Sequence, residues 1–421
     1  MTASIKTAPS CADPWDADSK TVAQARDLIE SSIPRLEDVE ALPIRDSLGR
    51  ISSEVVISTI DVPGHANSAM DGFAISGSSL PAQGIAEFTE IGIAYAGKTF
   101  DGECRQNECV RIMTGAVVPE GTDTVIMQEQ VELLDNQTIR IGPNHRAGEN
   151  VRAAGEDIKQ GEAVLQPGSK INPADLGILA SLGIGTLNVI RKPVVAFFST
   201  GDELVSIDKP LAKGEIYDSN RYTLYGMLSQ LEVDIIDMGV IRDEPGAIRS
   251  GLLEASQKAD LIITTGGVSV GEADYIKSIL EEIGQTEFWK IAIKPGRPLT
   301  FGSIGKSIFM GLPGNPVAVM VTFSLFVTHA IRKLAGAPSS QIHLLQARAL
   351  QDLRKKPGRH EYIRGIVSKG ANNEWQVEKT GMQGSGILTS MSRANCFIVL
   401  PAENKGVKKG DLVDIQLFDL A

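Results

Sequence analysis

Residues 194–334 alternate short apolar runs with helical segments, an order that few folds accommodate. The apolar runs predict strands, and helix-spaced segments separate them. Near-continuous apolar strands separated by helices indicate a parallel, doubly wound sheet. We therefore predict an α/β domain over residues 191–337, with strands at Val194–Ser199, Val233–Met238, Leu261–Thr265, Phe288–Ile293 and a strand pair within Leu299–Met310, before a long helix Pro316–Leu334.

The rest of the chain reads as β-rich or mixed structure, so the predicted fold class is multidomain, α/β plus β. Residues 51–144 contain short β runs broken by Gly and Pro, which indicates a β-rich domain. Residues 21–50 and 145–190 form a mixed helical and linker region, in which Thr21–Ile29 has helical spacing. Residues 338–421 predict a small C-terminal β domain, barrel-like or half-barrel. Residues 1–20 read as a disordered leader.

Bulk properties exclude several classes of protein. A chain of 421 residues is too long for one core, so about two to four domains are expected. A net charge of −11 argues against a general nucleic-acid binder, so any contacts to an anion must be local. Cys104 and Cys109 are close enough in sequence to pair, but reduced thiols are expected without a secretory signal. No apolar segment is expected to reach membrane-spanning length, which favours a cytoplasmic protein.

The loop after the strand Leu261–Thr265 is suited to an anion. Thr264 and Thr265 supply hydroxyls, and Gly266 and Gly267 let the backbone approach an oxyanion closely. The carboxyl ends of strands are where open α/β sheets bind ligands, and a helix N-terminus favours negative charge. Asp274, in the first turn of the next predicted helix, adds a carboxylate suited to Mg²⁺.

Carboxylates also follow the other predicted strands. Glu203 follows the first strand, Asp243 and Glu244 the second, and Asp218 precedes a helix. Each one alone is as readily explained as a helix cap or first-turn acid. Because the loops after parallel strands share one edge of the sheet, the group together favours a Mg²⁺ and phosphate site.

A cationic turn is predicted opposite these acids. Lys290, Lys294 and Arg297 lie at the exit of a strand that two prolines stiffen, which suits a tetrahedral oxyanion or a diphosphate. The alternative is a turn with exposed charges. Asn315 and Pro316 then open the last long helix, either as a second anion site or as a simple cap.

Several familiar signatures are incomplete. Gly305-Lys306-Ser307 lacks the first glycine of a P-loop, because position 300 is Thr. Val268 breaks a dinucleotide fingerprint in the Gly266–Gly271 segment. The histidines form no metal-ligand pair, and no G-x-S-x-G elbow occurs. Zinc and nucleophilic hydrolase chemistry are therefore disfavoured.

Taken together, motifs along nearly the whole chain resemble the molybdopterin molybdenumtransferase family, and the chain is also similar to the E domain of gephyrin. The motifs that carry the resemblance are Asn67–Gly72, Arg111–Ala116, Gly155–Ile158, Ser199–Leu204, Thr265–Asp274, Lys294–Pro298, Gly311–Pro316, Gly384-Ser385 and Asn395–Phe397. The resemblance implies an elongated homodimer whose active cleft lies between the α/β domain of one subunit and the β domain of the other. It implies Mg²⁺-assisted conversion of molybdate and adenylylated molybdopterin into the molybdenum cofactor, with release of AMP.

The resemblance also assigns roles to residues. Glu203, Asp243 and Asp274 would serve metal and diphosphate chemistry, and Asp71, Thr114 and Asp157 would come from the facing subunit. Lys290 and Lys294 would join the catalytic set and hold molybdate or phosphate. The implied substrate-binding residues are Thr200, Gly201, Asp218, Gly266, Gly267, Ser269, Arg297, Pro298, Pro313, Asn315, Pro316, Arg359 and Ser385. A complex with the molybdopterin adenylyltransferase is implied as well.

The sequence departs from the family pattern at a few positions and leaves other functions open. His65-Ala66 stands where Phe-Asp is usual, Phe73 where Tyr is frequent, and Arg297 where Lys is often found. The alternatives are a molybdopterin adenylyltransferase, a non-enzymatic gephyrin-like scaffold and a general Mg²⁺-dependent phosphohydrolase. Molybdate and tungstate are not distinguished, because both are tetrahedral dianions of similar size.

Overall fold

A computed structural model describes residues 19–134, 137–267, 275–338 and 342–418, with only the backbone described at Trp289. Ser269 and Asp274, two predicted site residues, lie outside these ranges. The chain forms two compact units. The larger comprises residues up to Glu40, Gly49–Ile51 and everything from Ile190 onward, and the smaller comprises Ala41–Leu48 and Ser52–Val189. The finer five-part division of the chain stays a prediction.

Helix α1 (Val22–Ser32) opens the described chain and belongs to the larger unit. It begins with a capping box, in which the Thr21 hydroxyl accepts from the Gln24 N–H and the Gln24 side chain accepts from the Thr21 N–H. Its buried face, Val22, Ala25 and Ile29, packs into the main core of that unit. The predicted helix at Thr21–Ile29 is confirmed.

The smaller unit is built mainly from short strands, as its sequence predicted. Its largest sheet has six strands in the order β7-β4-β6-β5-β9-β8, and helix α2 begins with Pro173 after an Asn172 cap. Along this part of the chain, with the ends of β1 and β12 falling in the larger unit, the elements are β1 (Val39–Pro43), β2 (Val56–Ile57), β3 (Asn67–Ser68), β4 (Gly72–Ile75), β5 (Ala86–Ala94), β6 (Glu108–Ile112), β7 (Thr124–Met127), β8 (Val131–Leu134), β9 (Thr138–Ile141), β10 (Val151–Arg152), β11 (Ala163–Leu165), α2 (Pro173–Ser181) and β12 (Thr186–Ile190).

The cysteines of this unit are buried thiols. Cys104 and Cys109 are both free and lie in separate apolar clusters. Burial raises the pKa of Cys104 to about 11 and that of Cys109 to about 12. Such thiols carry little thiolate near neutral pH and are unreactive, which agrees with the expected reduced state.

The larger unit contains the α/β sheet and the C-terminal sheet. The elements of the α/β part are β13 (Val194–Thr200), β14 (Leu204–Val205), β15 (Ile216–Tyr217), α3 (Ser219–Leu228), β16 (Asp234–Ile241), α4 (Pro245–Lys258), β17 (Leu261–Thr265), α5 (Tyr275–Ile283), β18 (Gln285–Lys290), β19 (Ile293–Lys294), β20 (Pro298–Ile304), β21 (Ser307–Leu312), α6 (Pro316–Thr322) and α7 (Thr328–Leu334).

The α/β sheet has the order β16-β13-β17-β21-β20-β18. Strands β16, β13, β17 and β21 pair in parallel, whereas β20 is antiparallel to both β21 and β18. Strand β18 therefore runs in the same direction as the four parallel strands. The mostly parallel sheet predicted from the apolar runs is confirmed.

Helices cover both faces of this sheet, because its central strands are apolar on both sides. In β13, Val195 and Phe197 belong to one buried cluster, and Ala196 and Phe198 belong to another. Helices α1, α3 and α6 pack on the first face, and α4 and α5 pack on the second. This arrangement is the doubly wound architecture that the sequence predicted.

A continuous helix spans Pro316–Leu334, with a five-residue π-helical segment, Phe323–Val327, between α6 and α7. The side chain of Arg26 donates to the Leu325 carbonyl in that segment, at 2.9 Å. By length and composition this helix is apolar enough to span a membrane, so the expectation that no segment reaches that length was wrong. Because 72% of it is buried inside the protein, we interpret it as a core helix.

The C-terminal part forms a closed five-stranded barrel. Its strands are β22 (Leu345–Ala349), β23 (His360–Lys369), β24 (Trp375–Lys379), β25 (Cys396–Leu400) and β26 (Leu412–Leu417), and helix α8 is Leu388–Ser392. The order β23-β24-β22-β26-β25 closes through the β23–β25 pair. Strand β19 of the α/β part extends the sheet by pairing with β23. The predicted barrel-like domain is confirmed.

Two adjacent leucines of helix α4 test the packing of the second face. Leu252 is fully buried, whereas Leu253 is 40% exposed. We expect Leu252→Ala to lower the free energy of unfolding by about 2–5 kcal/mol, because it leaves a cavity against the sheet. The control, Leu253→Ala, should change it by less than about 0.5 kcal/mol. Urea denaturation followed by circular dichroism checks both values, and equal losses would contradict this packing.

Candidate active site

The common direction of five strands brings the predicted site loops to one edge of the sheet. Strands β13, β16, β17, β18 and β21 all end at this edge, and β20 begins there at Pro298. Thr200, Asp243, Gly266, Lys290 and Pro313 stand at or just after those strand ends. We call this edge the carboxyl rim. It is where open α/β sheets bind ligands.

Glycines allow the loops of the carboxyl rim to pack at backbone distance. Gly266 has φ +83°, and a Cβ there would lie 2.3 Å from the Thr200 carbonyl oxygen. Gly267 has φ +63°, and its Cβ would meet Ile276 and Thr200. A Cβ on Gly314 would lie 3.8 Å from the Gly266 Cα, so the loops after β13, β17 and β21 are neighbours. Side chains on these glycines would separate the loops.

Carboxylates cluster at the β13 and β16 ends of the rim. The Thr200 hydroxyl donates to Asp243 Oδ1 at 3.2 Å, and the Asp243 N–H donates to Asp202 Oδ1 at 3.4 Å. The Glu203 carboxylate lies next to Gly201, because a Cβ on Gly201 would lie 2.8 Å from Glu203 Oε2. No group of three or more His, Cys, Asp or Glu residues arranged to hold a metal occurs in the described ranges. Asp202, beside the predicted Asp243, was not among the predicted site residues.

Asp218 and Asn315 both precede helices, but only one of their side chains acts as a cap. Asp218 is buried and caps α3 by accepting from the Arg221 N–H, but its Oδ2 lacks a hydrogen bond. Asn315 precedes Pro316 at the start of α6, yet its side chain makes no capping bond and is exposed on the rim. Nearby, the Asn220 amide donates to the Gly314 carbonyl at 2.7 Å. The capping interpretation therefore holds for Asp218 and fails for the side chain of Asn315.

The cations follow β18 at the same rim. Lys290 is the register partner of Pro298, and the Ile291 N–H donates to the Arg297 carbonyl at 2.9 Å. Lys294 has a side chain 55% exposed, with its Nζ 3.4 Å from Glu361 Oε1. Arg297 is buried at 8% exposure. The predicted cationic turn thus combines an accessible lysine with a buried arginine.

Arg364 is a candidate site residue that the sequence analysis missed. It is 1% exposed, and its guanidinium donates to the Gly384 carbonyl at 2.9 Å and to the Ser390 hydroxyl at 3.0 Å. Burial alone lowers its pKa to about 10, and no described carboxylate forms an ion pair with it. Ser385, which follows Gly384, accepts from the Val317 N–H at the start of α6. A buried, unneutralised guanidinium therefore supports the predicted Ser385 loop beside the rim.

The three site residues predicted in the smaller unit lie on loops near its strand ends. Asp71 Oδ1 accepts from both the N–H and the hydroxyl of Thr114, at 2.7 and 2.8 Å. These hydrogen bonds lower the pKa of Asp71, because they favour its charged form. Asp157 is exposed, and its N–H donates to the Val62 carbonyl. The structure joins Asp71 to Thr114 directly, but no described contact joins the Asp157 side chain to that pair.

A cavity of about 480 Å³ lies at the opposite, amino edge of the sheet and does not belong to this site. Its lining includes Arg191, Lys192 and Asp260. Arg191 pairs with Asp260 at 2.7 Å, and Lys192 pairs with Glu232 at 2.9 Å. Because these charges neutralise one another, we assign the chemistry to the carboxyl rim.

Glycine loops, carboxylates and cations at the carboxyl edge of a doubly wound sheet define an α/β protein built to bind an anionic ligand. Comparison with known families makes this class specific. Residues 20–183 match the "MoeA N-terminal region (domain I and II)", residues 196–333 the "Probable molybdopterin binding domain", and residues 346–418 the "MoeA C-terminal region (domain IV)". The chain belongs to the molybdopterin molybdenumtransferase family, which confirms the resemblance seen in the sequence.

Relatives match over nearly the whole chain. The molybdopterin molybdenumtransferase of Haemophilus influenzae is 42% identical over 95% of this chain and 98% of its own length. Gephyrin of Dictyostelium discoideum is 33% identical over 95% of this chain and 61% of its own length. The crystal structure of the molybdopterin biosynthesis moeA protein from Pyrococcus horikoshii is 29% identical, with a TM-score of 0.82, and covers 95% of this chain and all of that one. Family membership identifies the protein as a transferase.

The Asp71–Thr114 pair yields a prediction about pH. Because the pKa of Asp71 is depressed below its ordinary value of 3.8, the pair stabilises the fold above that pH and loses its effect as pH falls through the folded-state pKa. Thr114→Val removes the hydroxyl donor but keeps the N–H, so the pKa of Asp71 should rise part of the way toward 3.8. Carboxyl NMR titration measures it. The control is Thr122→Val, because the Thr122 hydroxyl donates to the Pro119 carbonyl and not to Asp71. This variant should leave the pKa of Asp71 unchanged.

Proposed function

We propose that this transferase inserts molybdenum from molybdate into the dithiolene of adenylylated molybdopterin and releases AMP. The observation that carries the proposal is the gathering of glycine loops, carboxylates and cations at the carboxyl rim. A nucleotide-linked pterin and a metal oxyanion are both anionic. Each therefore needs its own set of hydrogen-bond donors and cations in the site. The family match to a molybdopterin-binding domain over residues 196–333 supports this choice of substrate.

Mg²⁺ is proposed to assist the reaction, and the described residues fit it. Mg²⁺ prefers one or two carboxylates together with phosphate oxygens and water, so a cage of three acids is not required. Asp243 would hold the ion, and its N–H donates to the neighbouring Asp202 carboxylate. Glu203 lies on the same side of the rim. Asp274, predicted as a third ligand, lies outside the described residues. When bound, Mg²⁺ would neutralise charge on the phosphate that leaves with AMP.

The protein's own cations are proposed to bind molybdate and the phosphates. Lys294 is accessible at the rim, and Arg297 is buried beside it, so the first can reach a ligand and the second adds a positive charge in a dry setting. Arg364 orients the Gly384-Ser385 turn, whose hydroxyl and backbone would contact an oxyanion. Held in this way, an oxyanion keeps its orientation while dithiolene sulfurs replace oxo groups. We also assign Lys290 and Arg359 to this set, as the family resemblance implies.

The remaining parts of the proposal come from the family resemblance. We propose a homodimer in which Asp71, Thr114 and Asp157 of the facing subunit complete the site, and a delivery complex with the molybdopterin adenylyltransferase. A cytoplasmic location is proposed as well. The rigid Asp71–Thr114 pair supports a binding role for that loop, because both donors of Thr114 hold the carboxylate in one orientation.

The alternatives differ from this proposal in what they require of the rim. An adenylyltransferase would consume ATP and release pyrophosphate, and a phosphohydrolase would act on nucleotides without molybdate. A scaffold would need none of the rim groups. The close packing of the glycine loops and the buried Arg364, which has no described carboxylate partner, suit a site for an anion, and this favours the enzyme.

Lys294→Met tests the oxyanion role. The kcat/KM for molybdate-dependent AMP release from adenylylated molybdopterin should fall by on the order of 10²-fold, which is the scale of losing one key charge stabiliser. The matched control is Lys306→Met, which removes the same charge from the exposed β20–β21 turn at the amino edge. Lys306→Met should retain activity within about twofold of the parent protein. Equal losses in the two variants would contradict a specific role for Lys294.

Asp243→Asn tests the metal role. The amide oxygen can still accept from Thr200, so the loop is kept while the charge is lost. The Mg²⁺ concentration for half-maximal AMP release should rise by about tenfold or more, because a carboxylate is the preferred ligand. Glu254→Gln, which removes an exposed acid paired with Lys258 on α4, is the control and should leave that concentration unchanged. An unchanged Mg²⁺ requirement in Asp243→Asn would remove this residue from the metal site.

A further inference from the structure

Lys355 is a buried lysine that neither the sequence motifs nor the proposed reaction uses. It is 8% exposed, and its Nζ donates to three carbonyl oxygens: Lys356 at 3.3 Å, Ala402 at 3.0 Å and Asn404 at 3.1 Å. An ammonium group has three N–H donors, so these contacts use all of them. The charge is therefore fixed in place and is not satisfied by a carboxylate hydrogen bond.

The contacts of Lys355 fix the turn that leads to Arg359. Gly358, with φ +119°, donates its N–H to the Ala402 carbonyl at 2.8 Å, the same oxygen that Lys355 binds. Just beyond Arg359, the His360 N–H donates to the Ala292 carbonyl, and Glu361 is the register partner of Lys294. Residues 355–361 are thus anchored at one end by Lys355 and at the other by the strand that carries Lys294.

Charges of both signs surround Lys355. Burial is the largest cause of its lowered pKa; Glu361 and Glu403 raise that pKa, and Lys294 and Arg359, with smaller effects, lower it further. Lys355, Lys294 and Arg359 thus form one group of cations whose charge the two neighbouring acids partly offset. The accessible member of the group is Lys294, which already belongs to the proposed oxyanion site.

We propose that Lys355 is a positioning residue for a tetrahedral oxyanion, because it holds the turn that carries Arg359. The ligand class is a dianion such as molybdate, so this inference rests on the proposed function. Lys355 itself is too deeply held by backbone carbonyls to touch the ligand. Its effect therefore passes through Arg359.

The first test measures molybdate binding by equilibrium dialysis on the full chain. Lys355→Met should weaken binding by about tenfold or more, since it removes both the anchor and the charge. Lys356→Met is the matched control, because it removes an exposed charge one residue away, and it should change binding by less than about twofold. Lys355→Arg, which keeps the charge and can still donate to carbonyls, should recover most of the affinity. Unchanged binding in a folded Lys355→Met variant would overturn the proposal.

A double-mutant cycle separates positioning from simple stability. If Lys355 acts through Arg359, Lys355→Met should weaken binding much less in an Arg359→Met background than in the parent protein. Should Lys355→Met fail to fold, Gly358→Ala replaces it in the cycle, because a Cβ at φ +119° strains the same turn without touching the charge. Strictly additive losses with Arg359→Met would overturn the proposal in either case.

The parent protein distinguishes this inference from the proposed function. A parent that neither binds molybdate nor releases AMP would contradict the proposed function itself. A parent that does both, with Lys355→Met indistinguishable from it, would contradict only the role of Lys355.

Discussion

The site depends on one constraint, the common direction of the strands that end at the carboxyl rim. Strands β13, β16, β17 and β21 pair in parallel, and the reversal at β20 returns β18 to the same direction. Residues that are far apart in sequence, such as Thr200 and Lys290, therefore end at one edge. The close approach of Gly266 to the Thr200 carbonyl then fixes the spacing of the loops. Without this alignment the acids and cations would lie at opposite edges.

Much of the fold was predictable because its signals are local. Strand β17 is apolar at each of its first three positions, and alternate residues of β13 enter opposite cores, so the sequence itself indicated a two-faced sheet. The caps of α1 and α2 follow short sequence rules. The expectation that no apolar segment reaches membrane-spanning length failed at the helix Pro316–Leu334. Composition alone cannot distinguish the Pro316–Leu334 core helix from a spanning one, and only its burial does so.

The supporting part of the site was not predictable in this way. Arg364 stands in a strand beside Tyr362 and Ile363, and its only signal in the sequence is a charged residue between apolar neighbours. In the sequence, Lys355 looks like one of several surface lysines. Only its contacts with the 402–404 segment in the folded chain show that it is buried. Both side chains bind carbonyls of segments distant in sequence. No local pattern encodes such contacts, because barrel closure creates them.

Charge explains why the supporting cations are buried. A chain with net charge −11 repels a dianion at long range, so capture depends on a local field strong enough to overcome that repulsion. Exposed cations are screened by water and salt, whereas Arg297, Arg364 and Lys355 act from a poorly hydrated setting. Lys355 and Arg364 are oriented by backbone carbonyls, so little reorganisation of these two side chains is needed when an anion arrives. In the proposed site, accessible Lys294 would meet the ligand, and the buried cations would add to the potential that holds it there.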